Sequence, residues 1–273
     1  MISIGRDMRS HGKRIALIPT KGSLHEGHLS LAGRATELSD CVVVSILQNA
    51  SPDLSSKNGY NNLARDAELA FTRGVDFIFA PSASDMFPTG FSTSVSVNGL
   101  SDKLEGERRP GYLHKATTGL NKVINIVHPH FVMFGRKNAQ EVILAKRMVR
   151  ELAIDIEIVV CPTVREEDGL AVASSNARLS TEERKAAIIL RRALERCRSL
   201  ANGGERDAAR LIGSIRSTLG AEPLAQIDYI AITDTNQLDD LDVVQSDRPT
   251  LVSIAAYIGD TRLTDNIVLG GEL

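Results

Sequence analysis

Three cysteines in 273 residues, Cys41, Cys161 and Cys197, are too few and too scattered for a disulfide framework or a zinc cluster. Cys41 and Cys161 adjoin apolar runs, where a thiol packs as a small hydrophobe. Net charge is also scarce: 32 basic against 34 acidic side chains leave −2, which provides neither a nucleic-acid-binding surface nor an acidic tail. No apolar run approaches the roughly 18 residues that span a bilayer. The opening "MISIGRDMRS" carries charge where a signal peptide has its apolar stretch. The expectation is a cytoplasmic protein with neither membrane nor nucleic acid as partner. Internal repeats, low-complexity segments and the G-x-x-x-x-G-K-[ST] phosphate loop are all missing. What is present is ordinary globular composition, 42% hydrophobic and 24% charged, over a length that supports one large domain or two modest ones.

β-branched runs alternate with helical patterns through the first two thirds. "RIALIP" (14–19) and "CVVVSIL" (41–47) are continuous apolar stretches, the pattern of strands covered on both faces. "HLSLAGRATEL" between them has helical spacing, so the three form a βαβ unit and imply a parallel sheet. "DFIFAP" (76–81) adds a strand after a helix that Gly74 stops. "TTGLNKVINIV", "FVMFG" (131–135), "NAQEVILAKRMVREL" and "IEIVVCP" continue the alternation. The predicted architecture is α/β, a Rossmann-like doubly wound parallel sheet, in which ligands bind beyond the carboxyl ends of the strands. From "STEERKAAIILRRALERCRSLAN" onward the order changes to helices followed by strands, which predicts a smaller C-terminal α+β domain. Ser180-x-x-Glu183 marks the start of that long amphipathic helix as a capping box. The division falls near residue 175, giving domains 1–175 and 176–273.

The first strand runs directly into "PTKGSLHEGH" (19–28). In a doubly wound sheet this turn is an anion site, because the next helix presents unpaired N–H groups. Gly22 and Gly27 allow close approach of backbone to a ligand. His25 and His28, one helical turn apart, point the same way and can donate to phosphate oxygens. The pattern His25-x-Gly27-His28 after a buried strand therefore predicts a nucleotide site. "HPHF" (128–131) lacks a second metal-ligand pair and leads into a buried strand, so it is set aside as a metal site.

"PTKGSLHEGHLSL" resembles the signature of the pantothenate synthetase family, within the nucleotidyltransferases marked by H-x-G-H. "GVDFIFAPSASDMFPTGF", "LEGERRPGY", "FGRKNAQ", "PTVREEDGLAVASSN", "LSTEER" and "YIGDTRLTDNIVL" follow in the family's order along nearly the whole chain. The resemblance implies an ATP-dependent, AMP-forming acid–amine ligase. A carboxylic acid is activated as an acyl adenylate with release of pyrophosphate, and an amine then attacks to form an amide. It also implies a homodimer whose C-terminal domain is a lid. By the same resemblance His25, His28 and Lys137 are catalytic, with His28 in the position treated as proton donor. ATP is contacted at Thr20, Lys21, Gly22, Gly135, Asn138, Val164, Ser174 and Ser175, and Asp66 helps to hold Mg²⁺. The acid and amine face Asn49, Pro52, Arg109, Tyr112 and Glu141.

The chain departs from the family's pattern in one region. Lys21 stands for methionine, Pro52 and Glu141 for two glutamines that grip pantoate, and Tyr112, His114 and Lys115 alter "RPGHFRG". Ala173, Ser174 and Ser175 stand where Ser, Ser and Arg are expected. A proline has no amide donor, and a glutamate repels an anionic acid unless a cation lies beside it. The departures predict an acid other than pantoate. The alternative is pantoate with β-alanine; a nucleotidyltransferase or an inactive relative is the further one.

Overall fold

The computed structural model describes residues 1–47 and 62–273. The chain forms two compact units, Met1–Pro162 and Thr163–Leu273.

The first unit opens with a helix that the sequence pattern does not announce, α1 (Ile2–Ser10). Gly5 permits it: a Cβ there would lie 2.3 Å from the carbonyl oxygen of Val127. The alternation then runs β1 (Ile15–Thr20), α2 (Glu26–Leu38), β2 (Cys41–Ile46), α3 (Leu63–Phe71) and β3 (Phe77–Phe79). Two short helical turns, α4 (Ala83–Met86) and α5 (Glu105–Arg108), precede α6 (Tyr112–Val127), β4 (Phe131–Gly135), α7 (Ala139–Glu151) and β5 (Glu157–Cys161). All five strands are parallel, in the order β3-β2-β1-β4-β5. That is the predicted doubly wound sheet, with its switch point between β1 and β4.

β1 reads as an unbroken apolar run because it is central. Ile15, Ala16, Leu17 and Ile18 are all fully buried. Ala16 and Ile18 pack with Leu31, Ala32 and Ala35 of α2 and with Val42 and Val44 of β2. Gly74 ends the stretch after α3 at φ +77°, where any Cβ would press within 2.8 Å of the Thr36 side chain. His130 is a structural side chain, as "HPHF" suggested: its Nδ1 accepts the Ile15 N–H at 3.0 Å and ties the approach to β4 to the start of β1. Cys41, Cys161 and Cys197 are buried thiols, and burial raises Cys41 and Cys197 to about 11.

The second unit begins earlier in the chain than position 175, for a physical reason. Arg165 donates through both guanidinium arms to Asp265, at 2.7 and 3.0 Å, and Leu170 is buried in the second core. These contacts fix residues 163–175 to the C-terminal unit. Its helices are α8 (Thr181–Ala187), α9 (Ile189–Asn202) and α10 (Ala208–Leu219). The capping box is present: Ser180 N–H donates to Glu183 Oε2 at 2.8 Å, and Glu183 N–H to Ser180 Oγ at 3.2 Å. The expected single long helix is instead divided at Ile188, which keeps helical dihedrals (φ −60°, ψ −21°). β6 (Ala225–Asp234), β7 (Thr250–Ile258) and β8 (Thr261–Leu269) form an antiparallel sheet in that order. β7 is central and buried along its length except at Tyr257.

Candidate active site

The turn after β1 is held open by two consecutive left-handed residues, Gly22 at φ +85° and Ser23 at φ +54°. Three bonds keep it in place. Thr20 Oγ1 donates to the Ser45 carbonyl (2.8 Å) and accepts the Gly22 N–H (3.2 Å). The Leu24 N–H donates to Asp66 Oδ1 at 3.0 Å. Asp66 lies in the first turn of α3 and is fully buried, so a carboxylate two elements away sets the entry into α2.

His25 is the N-cap of α2 and His28 its third helical residue. The His25 N–H donates to Nδ1 of His28 at 3.4 Å, which leaves the proton of the neutral His28 ring on Nε2. The two rings lie 4.0 Å apart, tilted by 31°, so they do share one face. Gly27 has a different task from the one its sequence suggests. A Cβ there would sit 3.0 Å from Cε1 and Nδ1 of His25, so the glycine makes room for an imidazole rather than for ligand against backbone. Burial, with the charges of His25 and Lys21, pushes His28 down to about 3; burial and Lys137 lower His25 as well. Both rings are therefore neutral donors and acceptors at neutral pH. Nδ1 of His25 is buried with no hydrogen-bond partner among the described residues.

Across the switch point, β4 ends at Gly135, paired with Cys161, and Lys137 and Asn138 follow on a 3₁₀ turn. Asn138 is exposed at the N-cap of α7. Lys137 is near enough for its charge to bear on both His25 and Glu141.

The diverged residues also come together. Lys21 Nζ donates to the Tyr112 hydroxyl and to Glu141 Oε1, the latter at 3.1 Å; Tyr112 in turn donates to the same Glu141 oxygen at 2.7 Å. The Arg109 guanidinium lies 4.2 Å from the centre of the Tyr112 ring. Burial opposes both charges, yet the partners prevail: Lys21 is held above the ordinary lysine value and Glu141 below the usual carboxylate range. The pair is ionised.

Val164, Ser174 and Ser175 belong to the second unit, Val164 accepting the Val172 N–H at 3.0 Å and the serines opening a 3₁₀ turn (Ser174–Arg178). Asn49 and Pro52 fall outside the described residues. His114 pairs with Asp102 at 2.9 Å. Asp66, expected as a magnesium ligand, has a wholly buried side chain, and one of its oxygens accepts the Leu24 N–H. The anchoring roles of Asp66 and Arg165 are invisible in sequence because their partners lie 42 and 100 residues away.

A parallel sheet with two stacked neutral imidazoles at its switch point defines a nucleotide-handling α/β enzyme of the H-x-G-H kind. The family model described as pantoate-beta-alanine ligase matches residues 1–268, and the chain belongs to that family. It is therefore an ATP-dependent carbon–nitrogen ligase. It is 44% identical to the pantothenate synthetase of Pelotomaculum thermopropionicum, over 97% of this chain and 94% of that protein. It is 45% identical to that of Syntrophotalea carbinolica, over 94% and 92%. Among solved structures it resembles the pantothenate synthetase from Thermus thermophilus, with a TM-score of 0.87 and 36% identity over 96% of each chain. The pantoate-beta-alanine ligase from Francisella tularensis, solved with β-γ ATP and β-alanine, matches with a TM-score of 0.74 and 28% identity, over 98% of this chain and 95% of that one.

The expectation of an acid other than pantoate finds no support in these relatives; the alternative fits them better. One part of its physical ground is answered: Glu141 would repel an anionic acid only with no cation beside it, and Lys21 lies 3.1 Å away. The other part, the proline at position 52, lies outside the described residues.

Proposed function

We propose that this protein joins pantoate to β-alanine at the expense of ATP, releasing AMP and pyrophosphate. The acid's carboxylate oxygen attacks the α-phosphorus, and the α–β phosphoanhydride bond breaks as pyrophosphate leaves. The β-alanine nitrogen then attacks the acyl carbonyl. The carbon–oxygen bond to phosphate breaks, AMP departs, and the amine gives up a proton as the amide forms.

The observation that carries the pantoate assignment is the match of residues 1–268 to the pantoate-beta-alanine ligase family; the compensated Lys21–Glu141 pair is compatible with an acid substrate. His28, neutral and with its proton on Nε2, is suited to donate to a phosphate oxygen without changing charge. Lys137 is a cation on the other side of the switch point, suited to neutralise negative charge that passes from the α-phosphate to the departing pyrophosphate. Arg109, Tyr112 and Glu141 face the acid in this reading. Thr20, Gly22 and Gly135 shape the nucleotide's path through backbone, and Asn138 offers the ribose a hydrogen bond. The homodimer belongs to this reading and is checked by light scattering.

The test is pyrophosphate exchange into ATP with a panel of carboxylic acids, followed by mass spectrometry of the amide made with β-alanine. Exchange that responds to pantoate, with pantothenate as product, is expected. Exchange that ignores pantoate but answers another acid would defeat the assignment.

A further inference from the structure

We propose that Lys21 is a positioning residue for the acid, its ammonium holding the substrate carboxylate in line for attack while Tyr112 and Glu141 hold the ammonium. The inference rests on the functional reading above and adds to it a residue that the family's pattern, methionine at this place, does not provide.

Three observations carry it. Lys21 is the first residue beyond β1, in the same turn as the imidazoles, and its charge is felt at His28. A carboxylate that attacks phosphorus must approach to about 3 Å, so it lies beside the phosphate-binding turn and not on it. That is where an ammonium anchored on Tyr112 and Glu141 stands.

Second, the anchorage is closed. Lys21, Tyr112 and Glu141 each bond to the other two, and they come from three elements: the turn after β1, the start of α6 and the first turn of α7. A lysine stem ordinarily moves among many rotamers. Two anchors remove that freedom before substrate arrives, so the cost of ordering is not charged to binding.

Third, among the described residues the donor count leaves one N–H of Lys21 open. An ammonium has three N–H groups, and the Tyr112 oxygen and Glu141 Oε1 accept two of them. The Lys21 side chain remains 37% exposed, against 25% for Glu141.

The experiment separates grip from simple charge compensation. Lys21→Met alone strands the Glu141 charge and reduces stability, so the deciding variant is Lys21→Met/Glu141→Leu, which removes both charges together without restoring the glutamine that the family has at this place. Initial rates are measured against pantoate, ATP and β-alanine, with the melting temperature alongside. The double variant is expected to melt near the wild type yet to show a pantoate KM raised by about tenfold or more, the cost of one charge-assisted hydrogen bond. The ATP KM should move less than threefold. Competition by pantoamide, the uncharged analogue, should be unaffected, because it offers Lys21 no carboxylate.

A double variant with a wild-type pantoate KM would overturn the inference and leave the pair as mutual compensation only. So would a double variant whose KM values rise equally for ATP and pantoate. A wild-type enzyme that does not use pantoate at all would instead defeat the functional reading on which the inference stands.

Discussion

Nδ1 of His28 accepts the backbone N–H of His25 at 3.4 Å, and this one contact joins a helix cap to the chemistry of the site. Capping the start of α2 satisfies a donor that has no intrahelical partner. It also fixes which nitrogen of His28 carries the proton.

The same burial gives a pH signature. His28 titrates near 3 in the folded chain and near 6.5 when unfolded, so between those values the unfolded chain binds the extra proton. Stability from this group is therefore complete above pH 6.5 and is lost as pH falls toward 3. Its slope is about 1.4 kcal/mol per pH unit below 6.5. Denaturant melts of wild type and His28→Asn at pH 7.5 and 5.5 should differ by roughly that much in their pH dependence, the variant having the flatter profile. Parallel profiles would contradict it.

Gly27→Ala should separate stability from activity. Alanine is the better helix former by about 1 kcal/mol, so the melting point should hold or rise. Its Cβ, however, meets the His25 ring at 3.0 Å and displaces an imidazole of the site. A fall in kcat of about tenfold or more, with no loss of thermal stability, is the expected result.

Asp66 can be examined in two steps. Asp66→Ala removes the acceptor of a buried backbone N–H and should cost about 1–3 kcal/mol. Asp66→Asn keeps an acceptor and should retain most of that stability. Because the side chain is buried in the turn, the magnesium concentration for half-maximal rate should be unchanged in Asp66→Asn. A several-fold increase would return Asp66 to the metal.

In the second unit, Arg165 and Asp265 are 17% and 3% exposed and meet through two hydrogen bonds. Arg165→Ala leaves a buried carboxylate alone and should cost about 3–5 kcal/mol by chemical denaturation. Arg165→Met/Asp265→Leu should recover most of it, since neither charge is then stranded.

Much of this molecule is legible before folding. "RIALIP" and "CVVVSIL" declare central parallel strands because a strand covered on both faces has no polar positions to alternate. The capping box at Ser180 and the stop at Gly74 are local chemistry, and both are present. The imidazole pair is legible for the same reason: residues one helical turn apart share a face wherever the helix lies. Local rules fail where a partner is distant. α1 depends on a glycine meeting Val127, and the domain boundary depends on Arg165 reaching β8.

The sequence by itself determined the alternation of strands and helices and the histidine turn, because periodicity and helix geometry act over a few residues. Only the tertiary structure decided the state of the Lys21–Glu141 pair and the backbone partner of Asp66. Whether a glutamate repels or is neutralised, and whether an aspartate faces a metal or an amide, depends on what the fold brings within about 3 Å of it.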